Sequence, residues 1–191
     1  MNSNIILIVL GEPNSTFLEV LFKYFISSDF KKNKKRIVLI GNKRLIHKQM
    51  EYLKYKININ EIHDLKYAKK KIINLINVDY NFKKIFSKIS SSSNKYIENC
   101  FNLAIKLIES NKLSKLMNGP ISKSHFLKKK YPGITEYISS KTKAKDPVML
   151  IYNKIIGVCP LTTHIPIKNV SKNVKKEKII NTANKIDEFY N

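Results

Sequence analysis

The sequence predicts an α/β fold in which helices are layered around a largely parallel sheet. Apolar runs of strand length alternate with segments of helical periodicity in the first half of the chain, beginning with residues 4–10 and 17–26. That alternation is typical of layered α/β proteins. Of the 191 residues, 43% are hydrophobic, which is enough to bury a sizeable core. A disordered protein is therefore excluded as a class.

The first strand and the first helix are the most clearly defined elements. Residues 4–10 form an apolar run too short for a signal peptide, and they predict a buried strand. Residues 17–26 are apolar almost all round, which predicts a buried helix. Ser15 or Thr16 is the expected N-cap of this helix, and Glu19 is close enough to be the acidic partner of a capping box.

The remaining elements follow from shorter signals. Residues 57–90 lack a clean period, and only one strand is predicted there. Ser90 to Asn94 predict an N-cap for the helix that follows, whose apolar stripe includes Cys100 and Ala104. In chain order we expect a charged turn at 31–35, a strand at 36–40, a basic helix at 43–52, a strand near 57–62, and the helix capped by residues 90–94, whose apolar positions start at Ile97. A strand at 113–117 and a short helix near 122 follow. The last elements are antiparallel strands at 148–152 and 155–160, joined by a two-residue turn at 153–154, and a helix at 175–190 with Ile179, Ile180, Ala183 and Ile186 on one side.

The net charge of +22 suggests a nucleic-acid-binding protein, because basic residues outnumber acidic ones by 36 to 14. Only Arg36 and Arg44 of the basic residues are arginine, and Lys, Ile and Asn are all abundant. These three residue types have A/T-rich codons, so genome composition accounts for much of the excess. Nucleic-acid readout favours arginine for bidentate contacts. We therefore expect no specific nucleic-acid partner, although this class remains an alternative.

Targeting and redox signals are few. The sequence has two cysteines, Cys100 and Cys159, and lacks an apolar run close to the roughly 20 residues that a membrane span needs. A cytoplasmic protein without a membrane partner is expected.

Three loops follow predicted strands, where α/β folds place their ligands. Residues 11–16 precede a helix and either bind an anion or form a simple turn. Residues 118–123 present Lys123, whose ammonium group either meets a phosphate or is one of many solvated lysines. In residues 162–164, His164 is a candidate metal ligand, a general acid or base, or a structural histidine.

The order of these loops is more informative than any one of them. Their sequences are Gly-Glu-Pro at 11–13, Asn-Gly-Pro-Ile-Ser-Lys at 118–123, Pro-Gly-Ile-Thr-Glu at 132–136, Val-Met-Leu at 148–150 and Thr-Thr-His-Ile-Pro-Ile at 162–167. In order and approximate spacing the chain resembles the 4-hydroxythreonine-4-phosphate dehydrogenase family. The resemblance covers essentially the whole chain and is weakest between residues 57 and 90.

The resemblance implies an NAD-dependent oxidoreductase of pyridoxal phosphate biosynthesis with an isocitrate/isopropylmalate dehydrogenase-like fold. Its substrate would be a phosphorylated hydroxy-amino acid, and a divalent metal (Zn, Mg or Co) would act as a Lewis acid on the alcohol oxygen. His164 matches the first of three metal-binding histidines in the family. Thr135 matches a substrate-binding threonine, whose hydroxyl can donate to a phosphate oxygen. His47, His63 and His125 lie off the family pattern and are expected to be ordinary histidines.

Two departures from the family pattern bear on activity. Ile134 replaces a histidine that precedes the substrate threonine, so one donor to the phosphate is lost. The family also takes its other two metal histidines and most of its NAD site from positions beyond residue 191. We therefore expect a C-terminally truncated fold with incomplete domains at 1–118 and 119–191, and no activity of this chain alone.

Three classes of protein remain compatible with the sequence. The first is a dehydrogenase that acts as a homodimer or with a complementing C-terminal fragment, as half of a split enzyme. The second is a non-catalytic, truncated remnant of one. The third is a basic nucleic-acid-binding protein.

Overall fold

The computed structural model describes residues 4–128 and 130–191, which form two compact units. The units divide between Lys130 and Tyr131, after the boundary predicted at residues 118 and 119. The segment past that boundary belongs to the first unit because Leu127 is buried there and Asn94 Nδ2 donates to the His125 carbonyl at 2.8 Å. The assignment of 1–118 and 119–191 as two incomplete domains stays a prediction.

A five-stranded sheet forms the centre of the first unit. Its strands are β1 (Ile5–Val9), β2 (Arg36–Gly41), β3 (Ile59–Glu61), β4 (Ile73–Asn77) and β5 (Leu116–Asn118). Their order across the sheet is β3-β4-β2-β1-β5, and every neighbouring pair is parallel. This confirms the predicted α/β class with a largely parallel sheet.

Helices cover both faces of this sheet. They are α1 (Phe17–Ile26), α2 (Ser28–Lys32), α3 (Lys43–Tyr52) and α4 (Asn94–Asn111). Helices α1 and α3 pack on the face that carries Ile8 and Leu39. Helix α4 contacts β1 and β2 and covers the face to which the alternate residues of those strands point, such as Leu7. Strands buried on both faces read as continuous apolar runs, as β1 and β2 do. Among the described residues, no helix is long and apolar enough to cross a membrane.

The predicted bounds of α1 and α3 are confirmed, but the capping box at α1 is wrong. Glu19 does not reach back to the helix start, because its carboxylate pairs with Lys23 Nζ at 2.7 Å, one turn further along. Thr16, one of the two expected residues, is the N-cap, but its side chain makes no cap hydrogen bond. Ser15 Oγ lies beside it, donating to the Glu12 carbonyl at 2.7 Å and accepting from Phe17 N at 3.4 Å. The charged turn at 31–35 is also partly wrong, since α2 extends through Lys32.

The segment 57–90 contains one strand more than the sequence predicts. The strand expected at 57–62 is the three-residue β3, and β4 was not predicted. Asn74 lies in the middle of β4 and is fully buried. This polar residue interrupts the apolar pattern that predicts a buried strand. A buried asparagine is tolerated inside a sheet only where other parts of the fold satisfy its hydrogen bonds.

The predicted start of α4 is confirmed, because Ser93 of the 90–94 patch is its N-cap residue and the helix begins at Asn94, although the Ser93 side chain makes no cap hydrogen bond. Ser90 caps the short 3₁₀ turn at 91–93 that precedes the helix, accepting from Ser92 N at 3.3 Å. At the other end, Leu113 N donates to the Ile108 carbonyl at 3.1 Å. Because Leu113 closes the helix, the strand predicted at 113–117 begins later, at Leu116.

The second unit contains α5 (Ile134–Thr142), β6 (Ile151–Tyr152), β7 (Gly157–Val158), α6 (Val170–Asn173) and α7 (Lys176–Tyr190). The predicted terminal helix and the antiparallel hairpin are confirmed, whereas α5 was not predicted. The two-residue turn is wrong because Tyr152 pairs with Gly157, which leaves a loop of residues 153–156. Asn153 Oδ1 fixes this longer loop by accepting from the backbone N–H groups of Ile155 and Ile156 at 2.8 and 3.0 Å.

Candidate functional site

The first two candidate loops lie side by side in the first unit. Loop 11–16 follows β1 and loop 118–123 follows β5, and these two strands are neighbours in the sheet. Glu12 N donates to the Pro120 carbonyl at 2.9 Å, and Gly119 N donates to the Val9 carbonyl at 2.7 Å. Because β2 lies on the other side of β1, the loops meet where the strand order reverses, a usual place for ligands in α/β folds.

Two glycines permit this close approach. Gly11 has φ +72°, and a Cβ built on it would lie 2.4 Å from the Pro120 oxygen. A Cβ on Gly119 would lie 2.3 Å from the Leu10 oxygen. Both obstacles are backbone atoms, so a side chain at either position would force the loops apart.

A buried carboxylate holds loop 11–16 in place. Glu12 is 3% exposed, and its carboxylate accepts from Asn14 N at 3.1 Å, from Asn14 Nδ2 at 3.2 Å and from Ser93 Oγ at 2.9 Å. Buried acids are stable when they are hydrogen-bonded in this way. The negative charge also repels an anion, so the geometry favours the simple-turn interpretation of this loop over anion binding.

Loop 118–123 leads into a wide helical turn at Lys123–Leu127. Lys128 N donates to the Lys123 carbonyl at 3.1 Å, five residues earlier. Lys123 itself is exposed. His125 Nδ1 lies 2.9 Å from Ser122 Oγ, three residues earlier. This is a local structural contact, of the kind expected for an ordinary histidine.

The second unit brings Thr135 and the third loop around one cavity of about 510 Å³. Thr135 lies in the first turn of α5, and Thr162 and Thr163 line the same cavity. His164 is exposed and has φ +57°. It stands between Thr163 and Ile165, both of which line the cavity.

Helix α7 contributes a polar wall to this cavity. Lys178, Asn181, Thr182 and Lys185 line it, and their spacing of three and four residues places them on one helix face. Lys185 Nζ is anchored by the carbonyls of Lys145 and Asp146 at 3.0 and 2.8 Å. The periodicity of this helix predicts its apolar side; its polar side was not predicted, although the spacing of these four residues is visible in the sequence.

The charges around the cavity are mixed. Lys175, Lys178 and Lys185 supply positive charge, while Glu136, Asp146 and Glu177 supply negative charge. Glu136 Oε2 lies 3.0 Å from the position of a Cβ on Gly133, the N-cap of α5. The carboxylate therefore compensates the positive end of the helix dipole, and the lysines of α7 are the better candidates to attract a phosphate.

The family resemblance implies a divalent metal, but the residues present do not fit a complete site. Within residues 4–128 and 130–191, no three His, Cys, Asp or Glu side chains are grouped so that they could hold a metal ion. Catalytic zinc sites usually have three protein ligands. His164 alone can offer one.

The two cysteines are expected to differ in reactivity. Cys100 is fully buried in α4, and burial raises the pKa of its thiol to about 12. At pH 8 about one molecule in ten thousand would carry the reactive thiolate there. Cys159 is partly exposed and lines the cavity of the second unit. Titration of the native chain with a thiol reagent should therefore label Cys159 alone, and a Cys159→Ser variant should react only after unfolding.

Comparison with known proteins identifies the family. The family model described as "Pyridoxal phosphate biosynthetic protein PdxA" matches residues 33–191. The chain belongs to this family. The PdxA match includes Thr135, His164 and the cavity that Thr135 and α7 line. This confirms the resemblance drawn from the order of the loops.

The relatives of this PdxA-family chain are longer than it is. It is 30% identical over 185 residues to a 4-hydroxythreonine-4-phosphate dehydrogenase of Sulfurihydrogenibium, covering 94% of this chain and 56% of the relative. The enzyme of that name from Aquifex aeolicus is 29% identical, and the match covers 91% of this chain and 53% of the relative. The crystal structure of the Klebsiella pneumoniae 4-hydroxythreonine-4-phosphate dehydrogenase has the same fold, with a TM-score of 0.85 and 18% sequence identity. The superposition covers 98% of this chain and 59% of the Klebsiella chain. The chain spans about half the length of the curated relatives it matches.

Proposed function

We propose that this chain forms part of a cytoplasmic dehydrogenase that oxidises 4-hydroxythreonine 4-phosphate in pyridoxal phosphate biosynthesis, with NAD as hydride acceptor. Membership of the PdxA family and the names of the relatives support the reaction class. The observation that carries the proposal is the convergence of Thr135 and the loop Thr162–Thr163 on one cavity. These residues are distant in sequence and lie in two of the segments that carry the family resemblance.

The proposed role of the cavity is to bind the phosphate of the substrate. The Thr135 hydroxyl would donate to a phosphate oxygen, and the ammonium groups of Lys178 and Lys185 would balance the phosphate charge. Lys185 is already positioned by two carbonyl groups. Ile134 offers no side-chain donor, so phosphate binding would depend on Thr135 and the lysines.

The proposed role of His164 is that of one metal ligand. The described residues do not complete a metal site, and the proposed part of this chain in the reaction is to bind and orient the substrate. The remaining metal ligands would come from residues other than the described ones.

We further propose that this chain associates with a second polypeptide, either another copy of itself or a complementing chain. The hairpin of the second unit exposes apolar side chains, with Ile151 62% and Ile156 61% exposed. Two-stranded hairpins are marginally stable by themselves, and exposed apolar patches of this kind commonly mark protein interfaces. Measuring the mass of the purified chain in solution would distinguish the two forms of the proposal.

Protection of Cys159 provides a test of substrate binding that does not require turnover. We expect 4-hydroxythreonine 4-phosphate to slow the labelling of Cys159 in the purified chain, because the thiol lines the proposed cavity. Thr135→Val should weaken this protection by about tenfold, the loss expected for one hydrogen bond to a charged group.

Thr142→Val is the matched control for this experiment. Thr142 lies in the last turn of the same helix, where its hydroxyl bonds to the Ile138 carbonyl at 3.0 Å, away from the cavity lining. The control should leave protection unchanged. Equal protection by unphosphorylated 4-hydroxythreonine, or an equal effect of the two valine variants, would contradict the proposal.

A further inference from the structure

A second cavity lies in the first unit, at the carboxyl ends of β2 and β4. Its volume is about 580 Å³, and its walls come from the start of α3 and from the chain that follows β4. Arg44 and His47 line it from α3, and Asn77, Asp79 and Tyr80 line it from the other side. The motifs that carry the family resemblance include none of these residues, and the proposed substrate cavity is in the other unit.

Arg44 is held in a fixed position at the edge of this cavity. Its guanidinium lies 4.6 Å from the centre of the Phe82 ring, and Nη2 donates to the Phe82 carbonyl at 3.0 Å. Phe82 stacks on Tyr80, and Tyr80 stacks on the buried Tyr96, with ring centres 5.6 and 4.5 Å apart. The stack connects Arg44 to the core. Among residues 4–128 and 130–191, the bond to the Phe82 carbonyl takes one of the five N–H donors of the guanidinium.

The choice of arginine here is informative because the chain has 34 lysines and two arginines. A lysine could not stack as a plane on Phe82 while keeping paired donors available. His47 is three residues after Arg44 on α3, so the two side chains lie on the same helix face. Together they offer a planar cation and an imidazole to one ligand.

The groups around the cavity leave the N–H donors of Arg44 and His47 available to a ligand. Asn42 forms a rigid wall: its N–H donates to Tyr96 Oη at 3.0 Å and its Nδ2 to the Val78 carbonyl at 3.0 Å. Glu61 is engaged by Lys43 Nζ at 2.6 Å. The carboxylate of Asp79 accepts from Asn77 Nδ2 at 3.3 Å. Both nearby acids are therefore partly satisfied by other groups.

We propose that this cavity binds a small oxyanion, the phosphate or carboxylate group of a metabolite, with Arg44 as its main ligand and His47 as a second donor. Guanidinium groups bind such anions through two parallel hydrogen bonds. The site is independent of the proposed dehydrogenase reaction, and either proposal can fail without the other.

The test is a titration of the purified 191-residue chain with inorganic phosphate, and separately with citrate, near physiological salt. The imidazole proton signals of the four histidines are followed by NMR. We expect the His47 signal to shift and saturate while the His63 signal stays in place. A larger affinity for phosphate or for citrate identifies which oxyanion class the site prefers.

Two variants of α3 make the result specific. Arg44→Lys keeps the charge but loses the planar fork, and should weaken binding by about tenfold. Lys48→Gln removes a unit charge from the same helix at an exposed position outside the cavity lining, and should change the affinity by less than about twofold. The proposal is overturned if neither anion shifts His47 saturably, if all four signals move together, or if the two variants have equal effects.

Discussion

Gly119→Ala is expected to lower the free energy of unfolding by about 3 kcal/mol, at the upper end of the range for overpacking. The new methyl group would lie 2.3 Å from the Leu10 oxygen and 2.5 Å from the Phe17 ring. Because Leu10 contributes a backbone atom, the clash cannot be relieved by a side-chain rotation. The loop after β5 would have to move away from β1, which would strain the Gly119 N–H bond to the Val9 carbonyl.

Urea denaturation followed by circular dichroism measures this change, and Gly157→Ala is the matched control. A Cβ on Gly157 would have its nearest neighbour, a Leu150 methyl group, at 3.6 Å, which is ordinary contact. The control should change stability by less than about 0.5 kcal/mol. If Gly119→Ala were as stable as the control, the two loops would not meet as described.

Asn74→Asp is expected to cost about 3 kcal/mol at neutral pH, in the range for leaving a buried charge without compensation. Asn74 is fully buried in β4. Its Nδ2 donates to the carbonyls of Ile37 and Lys69, each at 2.9 Å. A carboxylate has no donor, so both carbonyl oxygens would face negative charge in place of an N–H group.

The pH dependence gives this prediction a second readout. Burial raises the pKa of a carboxyl group, so the new side chain would be protonated more readily in the folded state than in the unfolded state. The loss of stability relative to the parent chain should therefore shrink as the pH falls from neutrality toward about 5, because the protonated form regains a donor.

Asn77→Asp is the control for Asn74→Asp. Asn77 is exposed at the end of the same strand, and its Oδ1 accepts from Lys43 N at 2.8 Å, a role that a carboxylate keeps. The Asn77 Nδ2 contact to Asp79 at 3.3 Å would be lost, but both side chains are exposed, so water screens the two carboxylates. This control should cost less than about 1 kcal/mol. A similar loss in both variants would show that the buried hydrogen bonds of Asn74 do not stabilise the sheet.

The two proposed binding sites use different chemistry and lie in different units. The cavity of the second unit combines threonine hydroxyl groups with lysines from α7. The cavity of the first unit depends on a stacked arginine. Variants of Thr135 and Arg44 therefore report on separate sites, and Cys159 labelling and His47 signals provide a local readout for each.

The sequence by itself determined the α/β class, the parallel sheet and the family. Helices α1 and α3 were predictable to the residue because their apolar spacing and their flanking turns are local signals. The order of the loops from Gly11 to Ile167 was sufficient to identify the PdxA family. The same order marked Thr135 and His164 as candidates, whose roles stay predictions.

Only the tertiary structure decided the features that depend on contacts distant in sequence. Strand β4 was not predicted because Asn74 is compatible with a buried strand only where Ile37 and Lys69 accept its hydrogen bonds. The polar face of α7 became a candidate for ligand binding only because it lines the same cavity as Thr135. Similarly, the sequence does not distinguish Arg44 from other surface cations. In the structure, Phe82, which is 38 residues later, holds its guanidinium in place. Local spacing fixes which segments become helices and strands, whereas hydrogen bonds and stacking between distant residues determine which polar side chains can be buried or positioned.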